Sequence, residues 1–330
     1  MGVRAFVVRR DGEDLRCAVE DLAQDELGND PVVIDVEWSA LNFKDSMVVQ
    51  PGNRVARRFP LVPGVDLAGT VTESADPGLA AGTAVVVHGY DLGVAHHGGF
   101  ATRARVPEGW VVPLPEGVST RQAATVGTAG FTAALSLRGL ERNGLSPADG
   151  PVLVTGATGG VGSMAVSLLA SRGYEVVAST GKSAEHPYLL ALGAASVIGR
   201  DDVAGGPGRV LGAERWAAAV DCVGGPTLSA VLRSVRYGGA VAASGLTGGA
   251  EFTSTVYPFI VRGITLVGVD SVLTPIAERR AVWATVASDF PAARVEAMVE
   301  REIGLEGIST ALDDLARSAV RGKVLVRPDP

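Results

Sequence analysis

The chain has 330 residues, of which 43 are glycine, and a formal charge of −7. No three-residue glycine period runs through it, which excludes a collagen-like helix, and a hydrophobic content of 47% excludes wholesale disorder. The balance of 29 basic against 36 acidic residues argues against a nucleic-acid partner. The two cysteines, the charged N-terminus and the lack of a long apolar run predict a reduced, cytoplasmic protein with no membrane association.

The first part of the sequence reads as short strands separated by turns. Pro31–Trp38 alternates apolar and polar residues, which is typical of a half-buried strand, and Arg9–Gly12 is a predicted turn. This pattern predicts a partly closed β-barrel rather than a βαβ unit. The other predicted strands are Val3–Val8, Leu67–Thr72, Ala84–His88 and Trp110–Leu114.

From Ala123 onward the pattern changes to alternating helices and strands, which predicts a doubly wound parallel sheet. The predicted helices here are Ala123–Leu140, Val161–Ser171 and Glu185–Leu192, and the predicted strands are Val152–Thr155, Tyr174–Ser179, Ser196–Ile198, Ala218–Val223 and Ala240–Ser244. Beyond Val272, helices are predicted at Pro275–Asp289 and Ser309–Arg321, and a closing strand at Lys323–Val326. The charged stretch Glu296–Glu306 is interpreted as a solvated surface.

The sharpest local signal is a glycine cluster between a predicted strand and a predicted helix. Gly156, Gly159, Gly160 and Gly162 follow the strand directly. Glycine lets the backbone approach phosphate oxygens, and a helix start offers unpaired N–H groups. The segment therefore predicts a dinucleotide site formed by Thr158, Gly159, Gly160 and Val161. The alternative is a glycine-rich turn without a ligand.

The end of the next strand bears on which dinucleotide binds. Sites for NAD usually place a carboxylate there, whereas this chain has Ser179, Thr180, Gly181 and Lys182. Hydroxyl groups and a lysine suit a 2′-phosphate, and Arg200 would add a second cation. We therefore predict NADPH as the cofactor. The alternative is that both cations are exposed loop charges.

Several motifs together resemble the medium-chain dehydrogenase/reductase superfamily. They are Ser39–Asp45, Pro63–Gly69, Gly98–Ala101 and Gly127–Ala133. Four fragments are similar to its quinone-oxidoreductase-like branch, and to the acryloyl-CoA reductases in particular, namely Gly127–Thr132, Tyr237–Gly239, Pro258–Ile260 and Gly268–Ser271.

This resemblance implies an α/β fold with three parts. They are a GroES-like β-barrel catalytic domain (residues 1–125), a Rossmann domain (126–272) and a C-terminal segment that returns to the catalytic domain (273–330). It also implies a homodimer formed through Rossmann edge strands, with Thr265–Asp270 as the pairing strand.

The expected enzyme is independent of zinc. Zinc dehydrogenases of the superfamily carry a Cys or His where this chain has Leu41-Asn42, and Gly-His-Glu where it has Gly64-Val65-Asp66. Four histidines and two cysteines make a tetrahedral site improbable. Without a metal to polarise an alcohol, reduction of an activated C=C bond by hydride transfer fits better than alcohol oxidation.

The segment Asn42-Phe43-Lys44-Asp45 is the predicted catalytic wall. The family often has Tyr where this chain has Phe43. The change to Phe keeps the aromatic ring that would pack against the nicotinamide but removes a hydroxyl that could donate a proton. Lys44 and Asp45 are expected to pair with each other or to contact substrate. The alternative is that Asn42 and Asp45 cap the following helix.

Other site residues are predicted on position and charge. Thr128 would reach the nicotinamide half of the cofactor, or cap its helix. The resemblance implies that Cys222 lies against the cofactor, as a neutral thiol, and its place at a strand end agrees with that. Arg57, Arg58 and Arg262 would attract the phosphates of a CoA thioester, although a solvated loop explains the arginines of residues 54–58 equally well.

Three functions are compatible with the sequence. The first is NADPH-dependent reduction of a short 2-enoyl-CoA, acryloyl-CoA to propanoyl-CoA above all. The second is reduction of a quinone or enone. The third is a non-catalytic NADPH-binding sensor or structural protein.

Overall fold

The first structural element is an antiparallel hairpin of β1 (Val3–Asp11) and β2 (Asp14–Leu22), seen in a computed structural model that describes residues 2–52, 54–204 and 210–329. The pairing of Asp11 with Asp14 places the turn at Gly12, where φ is 63°. The turn predicted at Arg9–Gly12 therefore starts too early, because Arg9 and Arg10 still belong to β1. The second strand was not predicted, since its polar residues hide the alternation.

A seven-stranded sheet forms the body of the barrel-like part. Its N-terminal elements are β3 (Val32–Ala40), α1 (Phe43–Val48), β4 (Asp66–Glu73), β5 (Ala84–His88), β6 (Arg103–Val106) and β7 (Val112–Pro113). The strands β3, β4, β5 and β7 are neighbours in that order, and β6 pairs with β3. Strands β3 and β4 lie so close that a Cβ at Gly69 would overlap the carbonyl oxygen of Asp35.

The helix α2 (Thr120–Arg142) is broken at Gly127, whose φ of 40° and ψ of −148° are not helical. A Cβ at this position would overlap a carboxylate oxygen of Asp66. Glycine is therefore required twice here, by the backbone angle and by the close approach of Asp66. The break positions Thr128, which follows it directly.

A six-stranded parallel sheet confirms the predicted Rossmann architecture. Its spatial order is β10-β9-β8-β11-β12-β13, which leaves β13 at one edge. In chain order the elements are β8 (Val152–Val154), α3 (Gly160–Ser171), β9 (Val176–Thr180), α4 (His186–Ala191), β10 (Ser196–Gly199), α5 (Arg200–Ala204), β11 (Trp216–Asp221), α6 (Gly225–Ser234), β12 (Val235–Ala243), α7 (Tyr257–Arg262) and β13 (Thr265–Gly268).

The C-terminal segment completes the first sheet. Its elements are α8 (Ile276–Trp283), α9 (Val286–Asp289), α10 (Ala292–Ala297), β14 (Val299–Ile303), α11 (Ile308–Ala316) and β15 (Lys323–Val326). The strand β15 pairs with β3 on one side and with β14 on the other. Two predictions were wrong here: Pro275–Asp289 forms two helices rather than one, and Glu296–Glu306 contains β14 rather than only solvated surface.

The chain divides into two compact units. The first comprises Met1–Thr128 and Val272–Pro330, and the second comprises Ala129–Ser271. The first boundary follows Thr128, three residues later than the sequence placed it, because Thr128 is bonded to Asp66 of β4. In the part of the chain described, no helix combines the length and the apolar composition needed to cross a membrane.

Candidate active site

The glycine turn of the second unit joins the end of β8 to the start of α3. Gly156 has a φ of 60°, and a Cβ at Gly162 would overlap the carbonyl oxygen of Gly156, so the helix packs directly against the turn. A Cβ at Gly159 would approach only the Gly156 oxygen, at 3.4 Å. The turn is therefore closely packed on its inner side and open at Gly159, before a 12-residue helix whose N-terminus favours an anion.

Hydroxyl groups and cations gather at the end of β9. The Oγ1 atoms of Thr158 and Thr180 lie 3.3 Å apart, and the backbone N–H of Lys182 donates to Thr180 Oγ1 at 3.0 Å. A Cβ at Gly181 would lie 3.0 Å from Arg200 Nη2, so the guanidinium covers that glycine. The structure thus places Arg200 beside the glycine that follows β9. Ser179 is buried in the same strand end.

A buried carboxylate braces the turn after β11. Thr155 Oγ1 donates to Asp221 Oδ1 at 2.6 Å, and the N–H of Gly224 donates to Asp221 Oδ2 at 2.8 Å. The N–H of Cys222 in turn donates to Thr155 Oγ1 at 3.1 Å. Burial raises the pKa of Cys222 to about 12, which keeps the thiol neutral. The sequence pointed to Cys222 but missed the Thr155–Asp221 pair that holds its turn.

In the first unit, Asp45 is a buried structural carboxylate. Its Oδ2 accepts from the N–H of Asn42 at 2.8 Å, and its Oδ1 accepts from those of Val65 and Gly64 at 3.0 and 3.2 Å. Burial is the main cause that raises its pKa to about 7. Asp45 therefore takes the helix-capping role that was the alternative for it, and it binds backbone amides rather than Lys44.

The Asn42 side chain does not cap α1 but joins a second buried cluster. Its Nδ2 donates to Asp66 Oδ2 at 2.8 Å and to the Ala40 carbonyl at 3.2 Å, while its Oδ1 accepts from Lys323 Nζ at 3.0 Å. Both amide hydrogens are thus used. Asn42 is therefore held in a hydrogen-bonded cluster of the first unit, and its place in the catalytic wall stays a prediction.

Thr128 and Asp66 complete this cluster. Asp66 Oδ1 accepts from the Thr128 N–H at 3.0 Å and from its hydroxyl at 2.5 Å. Asp66 and Lys323 were not predicted as site residues. One signal was available for Lys323, since the chain contains only three lysines, at positions 44, 182 and 323.

Phe43 and Lys44, at the start of α1, are the members of the predicted segment that keep exposed surface and no polar commitment. Both are half-buried. Within the described residues, Lys44 makes no hydrogen bond or ion pair, in contrast to Asn42 and Asp45. Its ammonium group is therefore the donor of this segment that remains available to a ligand.

The arginines predicted to bind substrate have different surroundings. Arg57 is exposed and paired with Asp91, and Arg58 Nη2 lies 3.3 Å from His97 Nε2. Arg262 is only 8% exposed, and its guanidinium donates to the carbonyl oxygens of Arg233, Val235 and Gly212 in the second unit. The predicted substrate-binding role of Arg262 is therefore corrected to a structural one.

The residues at the superfamily's zinc positions do not fit a zinc ion. Asn42 and Asp66 face the ammonium of Lys323, which is 3.0 Å from Asn42 Oδ1 and 3.9 Å from Asp66 Oδ2. Across residues 2–52, 54–204 and 210–329, no group of three or more His, Cys, Asp or Glu side chains could hold a metal. An ammonium group that already occupies the oxygen donors leaves no set of ligands that suits Zn²⁺.

Comparisons with known proteins agree with both halves of the fold. Residues 28–116 match the alcohol dehydrogenase GroES-like domain family, and residues 160–288 match the zinc-binding dehydrogenase family. Acrylyl-CoA reductase AcuI of Ruegeria pomeroyi is 45% identical over 98% of each chain.

Two solved structures are similar over nearly their whole length. YhfP of Bacillus subtilis, solved with NAD bound, is 46% identical, with a TM-score of 0.96 and 99% of each chain covered. The yhdH oxidoreductase of Salmonella enterica, solved with NADP, is 42% identical, with a TM-score of 0.95 and coverage of 99% of this chain and 100% of its own. The chain therefore belongs to the medium-chain dehydrogenase/reductase superfamily, in the quinone-oxidoreductase-like branch that contains the acryloyl-CoA reductases.

Proposed function

We propose that this protein is an NADPH-dependent reductase of the activated C=C bond of a short 2-enoyl-CoA, with acryloyl-CoA as the leading substrate. The main support for NADPH as the cofactor is a cluster of polar residues beside an open glycine turn. It consists of Thr158, Thr180, Lys182 and Arg200. The relative AcuI, an acrylyl-CoA reductase by name, supports the substrate class. A non-catalytic role is disfavoured because relatives over the full length carry enzyme names.

The second unit would hold the cofactor through its phosphates. The turn at Gly159 and the N-terminus of α3 suit the pyrophosphate, while Lys182 and Arg200 suit the 2′-phosphate. No carboxylate follows β9 before Glu185, so nothing at this strand end repels that phosphate. When bound, NADPH would supply the hydride that adds to the β-carbon of the enoyl group.

The first unit would act on the substrate through Phe43 and Lys44. As negative charge develops on the thioester carbonyl oxygen, the Lys44 ammonium would stabilise it by donating a hydrogen bond. Phe43 has no proton to give, so the proton that completes reduction at the α-carbon would come from water or from another side chain. Asn42 and Asp45 would hold this segment without touching the substrate.

A direct test measures NADPH oxidation with acryloyl-CoA, with a small enone and with a quinone. The proposal expects the highest kcat/KM for acryloyl-CoA, and a higher kcat/KM with NADPH than with NADH. Lys44→Ala should lower kcat by about a hundredfold to a thousandfold, as loss of one oxyanion donor does. Arg317→Ala, which removes an exposed cation of α11's C-terminal end, is the matched control. Equal turnover by Lys44→Ala and the control would reject the role of Lys44.

Reduction of a quinone is the second candidate. YhfP is a quinone oxidoreductase by name, and its structure holds NAD rather than NADP. In this chain Arg57 is already paired with Asp91, which weakens the argument for a CoA phosphate site in that loop. A quinone kcat/KM above that of acryloyl-CoA, unaffected by added CoA, would favour this candidate.

We also propose that the protein is a homodimer formed through the edge strand β13. Next to it along the chain, α7 exposes Ile260 (71%), Val261 (51%) and Tyr257 (50%). Apolar side chains exposed side by side favour a covered face. Light scattering should give twice the chain mass, and Ile260→Asp should shift it toward the monomer. A monomeric wild type would reject the dimer.

A further inference from the structure

Lys323 is a charged side chain enclosed inside the first unit, at the start of β15. It is 1% exposed, and its Nζ donates to the carbonyl oxygen of Leu41 at 3.1 Å and to Asn42 Oδ1 at 3.0 Å. Its nearest carboxylate is the equally buried Asp66, at 3.9 Å. Burial lowers the pKa of Lys323, while Asp66 and Asp45 act in the opposite direction.

Such a pair is a poor device for stability alone. Removing two charges from water costs about as much as their attraction returns, and apolar replacements are often as stable. The pair instead determines the direction of the hydrogen bonds made by its neighbours. An ammonium group only donates hydrogen bonds and a carboxylate only accepts them. Between Lys323 and Asp66, the Asn42 amide therefore has a single orientation, with Oδ1 toward the ammonium and Nδ2 toward the carboxylate.

The same carboxylate sets the polarity of Thr128. Asp66 Oδ1 receives both the N–H and the hydroxyl proton of Thr128. A hydroxyl has one proton, so toward any ligand the Thr128 oxygen acts only as an acceptor. One buried ion pair thus determines the hydrogen-bonding character of two predicted site residues that are 86 positions apart in the sequence.

We propose that Lys323 and Asp66 are positioning residues for the reductase reaction, in which a buried ammonium–carboxylate pair organises the site that zinc organises in other members of the superfamily. This inference rests on the proposed function. The lysine content supports it. Only three of the 29 basic residues are lysines, and the other two lie in the proposed substrate segment and the proposed 2′-phosphate site.

The test uses full-length Lys323→Met, which keeps the length of the side chain and removes the charge, and Thr128→Val with Thr128→Ser as the conservative rescue. Kinetics with acryloyl-CoA and NADPH are compared with binding of 2′,5′-ADP, which needs only the second unit. Displacement of a positioned group by about 1 Å can cost a hundredfold in rate, so we expect kcat to fall about tenfold to a hundredfold in Lys323→Met and Thr128→Val. Thr128→Ser should stay near wild type, and 2′,5′-ADP affinity should stay within about twofold in every variant.

Two results would overturn the inference. One is an unchanged kcat in Thr128→Val and in folded Lys323→Met. The other is a loss of 2′,5′-ADP affinity as large as the loss of kcat, which would indicate general damage to the fold. If Lys323→Met does not fold, the comparison of Thr128→Val with Thr128→Ser tests the inference without it. If the wild type reduces none of the tested acceptors with NADPH, the proposed function fails. Positioning is then judged by binding: NADPH affinity must fall in Thr128→Val while 2′,5′-ADP affinity does not.

Discussion

Asp45 provides a quantitative test of how burial affects the first unit. In the folded protein its pKa is about 7, against 3.8 for the ordinary carboxyl group, and burial is the largest cause. The folded state therefore holds the Asp45 proton more tightly than the unfolded state does. This contribution to stability is complete below pH 3.8 and is lost as the pH rises toward 7.

The magnitude follows from the two pKa values. Each pKa unit corresponds to about 1.4 kcal/mol, so the contribution lost between pH 4 and pH 8 is about 4 kcal/mol. Asp45→Asn abolishes this dependence because an amide does not ionise. The variant also places an NH2 group against one of the three backbone N–H groups that Asp45 accepts, which costs about 1–3 kcal/mol at every pH.

The assay is urea unfolding at pH 4 and pH 8, followed by tryptophan fluorescence. Three of the four tryptophans, Trp38, Trp110 and Trp283, lie in the first unit. We expect Asp45→Asn to be less stable than wild type at pH 4, and to gain about 4 kcal/mol relative to wild type by pH 8. Asp329→Asn, at an exposed carboxylate of the same unit, controls for the loss of one charge. A difference between Asp45→Asn and wild type that is the same at both pH values would refute the reasoning.

Three further predictions concern other sites. His97 is 5% exposed, accepts from the N–H of Val62 at 3.0 Å, and has a pKa lowered by burial to about 4. The neutral imidazole contributes about 3 kcal/mol to the free energy of unfolding. This contribution is complete above pH 6.5 and is lost as the pH falls toward 4, so His97→Asn should be less sensitive to acid in urea unfolding over that range. An equal sensitivity of His97→Asn and wild type would contradict this. Replacing both Lys182 and Arg200 by Ala should raise the KM for NADPH at least about tenfold while leaving that for NADH nearly unchanged, since two charge-assisted bonds are lost; a parallel rise in both would reject a 2′-phosphate site. Thr155→Val leaves a buried oxygen of Asp221 without its donor, so we expect about 1–3 kcal/mol of destabilisation and weaker NADPH binding by fluorescence, whereas Thr155→Ser should bind as wild type does.

The Rossmann unit was predictable because local sequence encodes it. Its central strands β8 and β11 are mostly apolar, and the glycines that the phosphate turn requires lie in one short segment. The strands β2 and β14 escaped prediction for the opposite reason. Both carry charged residues at many positions, so their sequences show little apolar alternation. They form strands because a neighbouring strand pairs with them.

The candidate site was predictable only in its position along the chain. The segment 42–45 was found, but the roles of its members depend on contacts that no local pattern contains. Asn42 meets Lys323 across 281 positions and Asp66 across 24. Arg262 shows the same limit, because its charge suggested a ligand until the three carbonyl oxygens around it were known.

The charged candidate residues of the two units, each taken by itself, fall into two classes with different consequences. Asp45, Asp66 and Lys323 are buried and already hydrogen-bonded, so a ligand that enters cannot recruit them without breaking existing bonds. Lys44, Lys182 and Arg200 instead keep exposed surface, from which a ligand can be reached. The buried groups of the first unit hold the surrounding segments before the substrate arrives. Little reorganisation is therefore needed when negative charge develops on the substrate in the transition state. It follows that substitutions in the buried class and at Lys44 should lower kcat, whereas those at Lys182 and Arg200 should raise KM for the cofactor.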